Sequence, residues 1–265
     1  MKIKHILISF FIICFSFTIY YIYNRYSFEN EFQYFNTEQN KKSHLKIGII
    51  GDSWASGRKI DTLLASHLYE RKVFGKIYSS GHPGAKSKLI YQNIYQFGNE
   101  NISSQFVIKK QPNYCLVLAG VNDIQGEISQ PFYAHHLVLI IKTLIHHNIK
   151  PIILTIPRIG IDENSKEANV IKKSRNKLFR SLFVKKTNDL FFSYNQTLKD
   201  SLTKRELFNN VIFLKSDSLH FDYVNYPNYF KVDAIHLSDL GDSILAKAVA
   251  NIIVDNFKKE VLINN

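Results

Sequence analysis

The sequence predicts an α/β protein, a three-layer α/β/α domain around a central parallel sheet of about five strands, preceded by an N-terminal transmembrane helix. Three observations predict it. Short apolar runs bounded by turn residues recur along the chain, amphipathic stretches of helical period lie between them, and an almost unbroken apolar run opens the sequence. Strands that alternate with helices form a parallel sheet covered on both faces.

The N-terminal run extends from Ile6 to Tyr23 and follows Lys2, Lys4 and His5. Eighteen residues are close to the minimum for crossing a bilayer, and Tyr20, Tyr21 and Tyr23 suit the headgroup interface. A cleaved signal peptide would have a shorter apolar core and a small-x-small site. Cys14-Phe15-Ser16 is a poor match to one, and apolar residues continue beyond it. Residues 1–24 are therefore expected to be an uncleaved signal anchor with its positive end in the cytoplasm. The polar, aromatic-dotted residues 25–44 are expected to be a juxtamembrane linker, and 45–265 the globular domain, facing the periplasm or the cell exterior.

Within the domain the strand-like runs are Lys46–Ile50, Lys76–Ser79, Tyr114–Ala119, Pro151–Ile156 and Val211–Leu214. Helical stretches cover about 59–73, 86–97, 131–148, 165–187 and 238–257. With right-handed crossovers this is a flavodoxin-like arrangement, in which ligands bind beyond the carboxyl ends of the strands. The stretch 165–205 is rich in Lys172, Lys173, Arg175, Lys177, Lys185 and Lys186, interleaved with apolar residues, and is expected to be a helix with a solvated basic face.

Composition narrows the function. A 45% hydrophobic content suits a sizeable core. The net charge of +12 raises nucleic acid as a partner, but the Lys and Arg residues are spread, without zinc-finger spacing, an RNP-like motif or a basic arm. Nucleic acid is not expected; an anionic envelope polymer or lipid headgroups suit such a surface. Cys14 and Cys115 suggest no disulfide framework. The pairs His135-His136 and His146-His147 lack an acidic or cysteine partner, so neither a metal nor any other cofactor is expected. Oligomeric state is not legible.

Four loops carry chemistry-bearing residues. After the first strand comes Gly51-Asp52-Ser53-Trp54-Ala55-Ser56-Gly57; after the second, Ser79-Ser80-Gly81-His82-Pro83-Gly84; after the third, Gly120-Val121-Asn122-Asp123; near the end, Asp233-Ala234-Ile235-His236. A serine in a strand-to-helix turn is either a helix cap or a nucleophile set among outward-pointing N–H groups. Taken together, the four blocks resemble the SGNH (GDSL-type) hydrolases. The first block matches at Gly51-Asp52-Ser53 with Gly57, the third at Gly120 and Asn122, and the last at Asp233 and His236. Gly81 and Gly84 fit the second block, whose usual leading Asn is replaced by Ser79.

The resemblance implies an ester hydrolase acting through an acyl-enzyme. Ser53 would be the nucleophile, His236 its base, and Asp233 the group that orients the imidazole. The Ser53 N–H, a glycine N–H and the Asn122 amide would form the oxyanion hole. By the family's pattern the glycine is Gly84, with Gly81 second. Trp54, beside the nucleophile, and Tyr223, Tyr226 and Tyr229, in the aromatic loop 219–230, are candidate substrate contacts. Aromatic faces with Asn and Asp suit sugar rings, so an O-acetylated envelope carbohydrate is the expected substrate. A lysophospholipid or thioester, transfer to a carbohydrate acceptor, and a non-catalytic glycan-binding module are the alternatives.

Overall fold

The computed structural model describes residues 2–37, 45–57, 59–96, 99, 101–161, 163, 174, 178, 181–182 and 189–263. The chain forms two compact units, Met1–Asn30 and Glu31–Asn265. In the first, helix α1 (Lys2–Tyr26) contains a 19-residue apolar stretch, Ile8–Tyr26, long and apolar enough to cross a membrane, with none of it buried.

The second unit is built on five parallel strands: β1 (Leu45–Gly51), β2 (Gly75–Gly81), β3 (Tyr114–Leu118), β4 (Lys150–Leu154) and β5 (Ile212–Leu214). Their order is β2-β1-β3-β4-β5, with Ile50 opposite both Ser80 and Val117. β1 and β3 are buried almost throughout, as their Ile, Leu and Val content requires in a sheet covered on both faces. The order reverses between β1 and β3, and the loop after β1 opens at that switch point.

The described helices of this unit are α2 (Lys59–Glu70), α3 (Ser87–Gln92), α4 (Ser104–Lys109), α5 (Val121–Gln125), α6 (Gln130–His146), α7 (Leu190–Thr203) and α8 (Asp239–Ile263). α2 packs on α8, and α6 packs on α3 and α7. Right-handed crossovers place these two groups on opposite faces of the sheet.

The expected strands are all present, with ends shifted by one or two residues. The short α4 and α5 and the longer α7 were not expected. α7 buries Tyr194, Leu198 and Leu202 at four-residue spacing and is capped by Asp189, whose carboxylate accepts from the Phe192 N–H at 2.9 Å. The expected helix at 165–187 and its basic residues lie largely outside the described residues. Of the expected linker, 31–37 packs on the globular unit: the Phe32 ring stacks on Tyr91 at 5.4 Å, Phe35 lies 4.6 Å from the His147 ring, and Glu31 pairs with Lys142. Aromatic rings spaced along this segment find partners on α3 and α6 and in the turns that follow them, at Tyr91, Tyr95, His146 and His147, which periodicity cannot reveal.

Candidate active site

β1 ends at Gly51, and the chain turns at once. The Asp52 N–H extends the ladder to the Leu118 carbonyl at 3.0 Å, and the Ala55 N–H closes a turn onto the Asp52 carbonyl at 3.1 Å. Ser53 stands half-buried at the apex of this turn, and Ser56 Oγ donates to its carbonyl at 2.9 Å. Helix α2 starts only at Lys59, so Ser53 does not cap it. Its hydroxyl has another partner: Ser53 Oγ lies 2.9 Å from His236 Nε2.

His236 is presented by a second tight turn. Asp233 Oδ1 accepts from the Ile235 and His236 N–H groups, each at 2.9 Å, while Oδ2 lies 2.6 Å from His236 Nδ1. Between them, Ala234 takes a left-handed φ of 61°. That conformation is costly for a residue with a Cβ and persists only where the surroundings impose it. Here the Ala234 N–H donates to the Lys231 carbonyl at 2.8 Å, its carbonyl accepts from Gly160 at 2.9 Å, and a Phe230–Leu237 bridge closes the loop. Partial burial opposes ionisation of Asp233, but the backbone donors and the imidazole outweigh it and hold the carboxyl below its ordinary range. An ionised Asp233 accepts a hydrogen bond from Nδ1–H, which leaves Nε2 as the acceptor facing the serine hydroxyl. Both side chains are 40% exposed, so the three residues form a shallow, open site.

The two candidate glycines differ in what their N–H groups do. Gly81 ends β2, and its N–H is committed to the Asn101 carbonyl at 3.0 Å. A Cβ there would come within 2.3 Å of the Ser56 nitrogen and 2.7 Å of the Asp52 oxygen, so Gly81 lets the serine turn pack against β2. Gly84 is the third residue of the turn His82-Pro83-Gly84-Ala85, closed by the Ala85 N–H on the His82 carbonyl at 3.0 Å. Its φ of 76° and the preceding proline define a type II turn, where glycine is favoured. Among the described residues, neither the Gly84 N–H nor the Ser53 N–H has an acceptor. Asn122, on α5, gives one amide hydrogen to Asp52 Oδ2 at 3.2 Å and keeps a second.

Beneath these donors lies a pair of buried carboxylates whose role the motifs themselves do not reveal. Asp52 accepts from the Trp54 N–H at 3.0 Å and from Asn122; Asp123 accepts from the Ser87 N–H at 2.9 Å and from Ser87 Oγ at 2.6 Å. Burial raises the Asp52 carboxyl to about 7, and the charge of Asp123 adds to the effect. Burial likewise raises Asp123 to about 6, against the pull of its two Ser87 bonds. In the unfolded chain an aspartate titrates near 4. The stabilising contribution of protonated Asp52 is thus complete below about pH 4 and is lost as pH rises toward 7. We expect Asp52→Asn to gain stability relative to the wild type between pH 4 and pH 8, on the order of 2 kcal/mol. Urea unfolding at both pH values measures it, and a pH-independent difference would refute the burial account.

The other predicted contacts are placed unequally. Trp54 is buried at 8% exposure under the serine turn. Tyr223 packs edge-on against Phe230, and Tyr229 packs against the core and stacks on Tyr226. Tyr226 lines a cleft of about 510 Å³ with Phe191, Phe192, Asn195, Asp217 and Asp222. This cleft opens beyond the carboxyl ends of β4 and β5, the same sheet edge that carries Ser53. Among the described residues no group of three or more His, Cys, Asp and Glu is placed to hold a metal ion. His136 is buried with Nδ1 on the Phe132 carbonyl, His146 stacks on Tyr34, and His147 lies tilted against Phe35.

No protein-family model matches the sequence, and no curated protein sequence matches it. Solved structures do match. A lipolytic protein of the G-D-S-L family from Desulfitobacterium hafniense superposes with a TM-score of 0.52 at 15% identity, over 79% of this chain and 99% of its own. The fold is the GDSL fold. An acetyl xylan esterase aligns with a TM-score of 0.55 at 18% identity, over 79% of this chain and all of its own. A family 3 carbohydrate esterase from Clostridium thermocellum aligns with a TM-score of 0.53 at 16% identity, over 82% of this chain and 98% of its own. At such identities the likeness is one of fold. The serine, glycine, asparagine and Asp–His blocks of this GDSL-fold chain all lie in segments that follow the carboxyl ends of its strands.

Proposed function

We propose that the chain is a membrane-anchored serine esterase, facing the periplasm or cell exterior, that removes O-acetyl groups from a cell-envelope carbohydrate. The hydrogen-bonded chain Asp233–His236–Ser53 carries the esterase assignment. In the first half-reaction Ser53 Oγ attacks the ester carbonyl carbon while its proton passes to His236 Nε2. The resulting oxyanion is met by the Ser53 and Gly84 N–H groups and the Asn122 amide. Collapse expels the alcohol, which takes the proton from His236, and leaves an acyl-serine. Water, deprotonated by His236, then attacks the acyl carbon and releases the acid and the free serine.

Two observations support the substrate. The open setting of His236 and Asp233 suits a small acyl group carried on a bulky polymer better than a long acyl chain, which needs an apolar channel. The cleft mixes the rings of Phe191, Phe192 and Tyr226 with Asn195, Asp217 and Asp222, the combination of apolar faces and hydrogen-bonding groups that pyranose rings require. The fold neighbours include an acetyl xylan esterase and a carbohydrate esterase. Tyr229 would then back Tyr226, while Trp54 and Tyr223 would act through their packing under the serine turn and against Phe230.

The test is a hydrolysis panel with the detergent-solubilised full chain: acetylated xylo-oligosaccharides, p-nitrophenyl esters of graded length, and lysophosphatidylcholine. The expected order is acetylated sugar first, with kcat/KM falling at least about tenfold from acetyl to octanoyl esters, about the effect of misplacing one or two kcal/mol of binding. A preference for octanoyl esters or lysophospholipid would identify a lipid esterase instead, and transfer to added glycan in excess of hydrolysis an acyltransferase. Tyr226→Ala should raise KM for the acetylated oligosaccharide about 5- to 20-fold, the loss of one stacked ring, while leaving kcat/KM for p-nitrophenyl acetate within about twofold. Equal effects on both substrates would remove the cleft from the sugar-binding role.

A further inference from the structure

At the amino edge of the sheet, opposite the edge that carries Ser53, one corner is basic and aromatic. Lys46 on β1 and Lys76 on β2 are register partners. Lys46 Nζ reaches the Lys110 carbonyl at 3.2 Å, and Lys110 Nζ stands 4.8 Å from the Phe106 ring centroid. Lys109 precedes Lys110 at the end of α4, and Lys72 lies in the turn between α2 and β2; Lys72, Lys76, Lys109 and Lys110 are exposed. Glu70, an acid at this corner, is held by His67 and Arg71. Beside the lysines, Tyr69 and Phe74 pack edge-to-face at 5.7 Å and stand 70% and 69% exposed.

Two large rings set into water next to five lysines are an unfavourable arrangement for a surface that meets only solvent. Lysines bind acidic headgroups, and aromatic rings settle at headgroup depth. A polyanion would satisfy the lysines and leave the rings in water. We propose that this corner rests on an anionic bilayer surface, with Tyr69 and Phe74 entering the headgroup layer and Lys46, Lys72, Lys76, Lys109 and Lys110 on acidic lipids. A seven-residue strand such as β1 spans roughly 23 Å, so Ser53 then faces away from the bilayer, toward substrates that are not lipids. The docking does not depend on the esterase assignment.

The full chain reconstituted in phosphatidylcholine vesicles with brominated acyl chains tests this, with or without about a third phosphatidylglycerol. Trp54 is the sole tryptophan and is buried at the opposite edge, so Phe74→Trp in a Trp54→Phe background reports the corner alone. Its emission should fall at least about twofold when phosphatidylglycerol is present. It should recover in high salt, which shortens the reach of the lysine charges. Replacing Lys72, Lys76, Lys109 and Lys110 together by Gln should abolish the phosphatidylglycerol effect. Val224→Trp in the same background, at a residue 79% exposed on a loop of the catalytic edge, should stay unquenched. Equal emission in the two lipid mixtures, or equal quenching at 224, overturns the proposal. Hydrogen exchange of the unaltered chain in nanodiscs probes the same docking without substitutions: residues 69–76 should exchange more slowly with phosphatidylglycerol, and unchanged exchange overturns it.

Discussion

Ser53→Ala will abolish labelling by a fluorophosphonate probe and lower ester hydrolysis by about 10⁴- to 10⁶-fold, while the thermal unfolding midpoint moves little. The size of the effect follows from the geometry. Ser53 Oγ is the group hydrogen-bonded to His236 Nε2, and removing it leaves only positioned donors and a bound ester. Stability should be nearly unaffected because the serine turn is held by backbone bonds and by Asp52 and Ser56, not by the Ser53 hydroxyl. Intact chain that resists the probe would instead favour a glycan-binding module that keeps the fold without the chemistry.

The second large effect is expected at Asn122. Asn122→Ala should lower kcat by about 10²- to 10³-fold with KM nearly constant, the signature of an interaction made mainly in the transition state. The amide hydrogen not given to Asp52 is the one available to an oxyanion. Truncation also takes a donor from the buried Asp52, so a stability loss of about 1 kcal/mol should accompany the kinetic defect. Pre-steady-state acylation with p-nitrophenyl acetate separates the two: slow acylation of folded protein supports the oxyanion role, and a normal acylation rate refutes it. Gly84 offers no comparable substitution, because the contribution proposed for it is a backbone N–H and any side chain there also strains the turn.

Much of this site was legible as residue types in order. The serine turn, the Asn122 block and the Asp233–His236 pair were each readable because a short local pattern specifies them, and the structure brings all three to one sheet edge. The segment His82-Pro83-Gly84-Ala85 spells its own turn type. The choice between Gly81 and Gly84 was not legible from the residues alone, since it depends on whether the Asn101 carbonyl occupies one N–H. The buried Asp52 and Asp123 were visible as letters, but their raised affinity for protons arises from the depth at which the sheet and α5 bury them.

By itself the sequence determined the alternation of strands and helices, the apolar N-terminal helix and the chemistry of the loops, because these follow from periodicity, turn residues and side-chain type within a few positions. Only the tertiary structure decided that Ser53 meets His236 across 183 positions rather than capping α2, and that residues 31–37 pack on the globular unit. It also gathered lysines from β1, β2, the end of α4 and the turn between α2 and β2 at one edge of the sheet. Each of these is a contact between distant parts of the chain, selected by the burial of whole faces, and no local stretch contains the information that sets it.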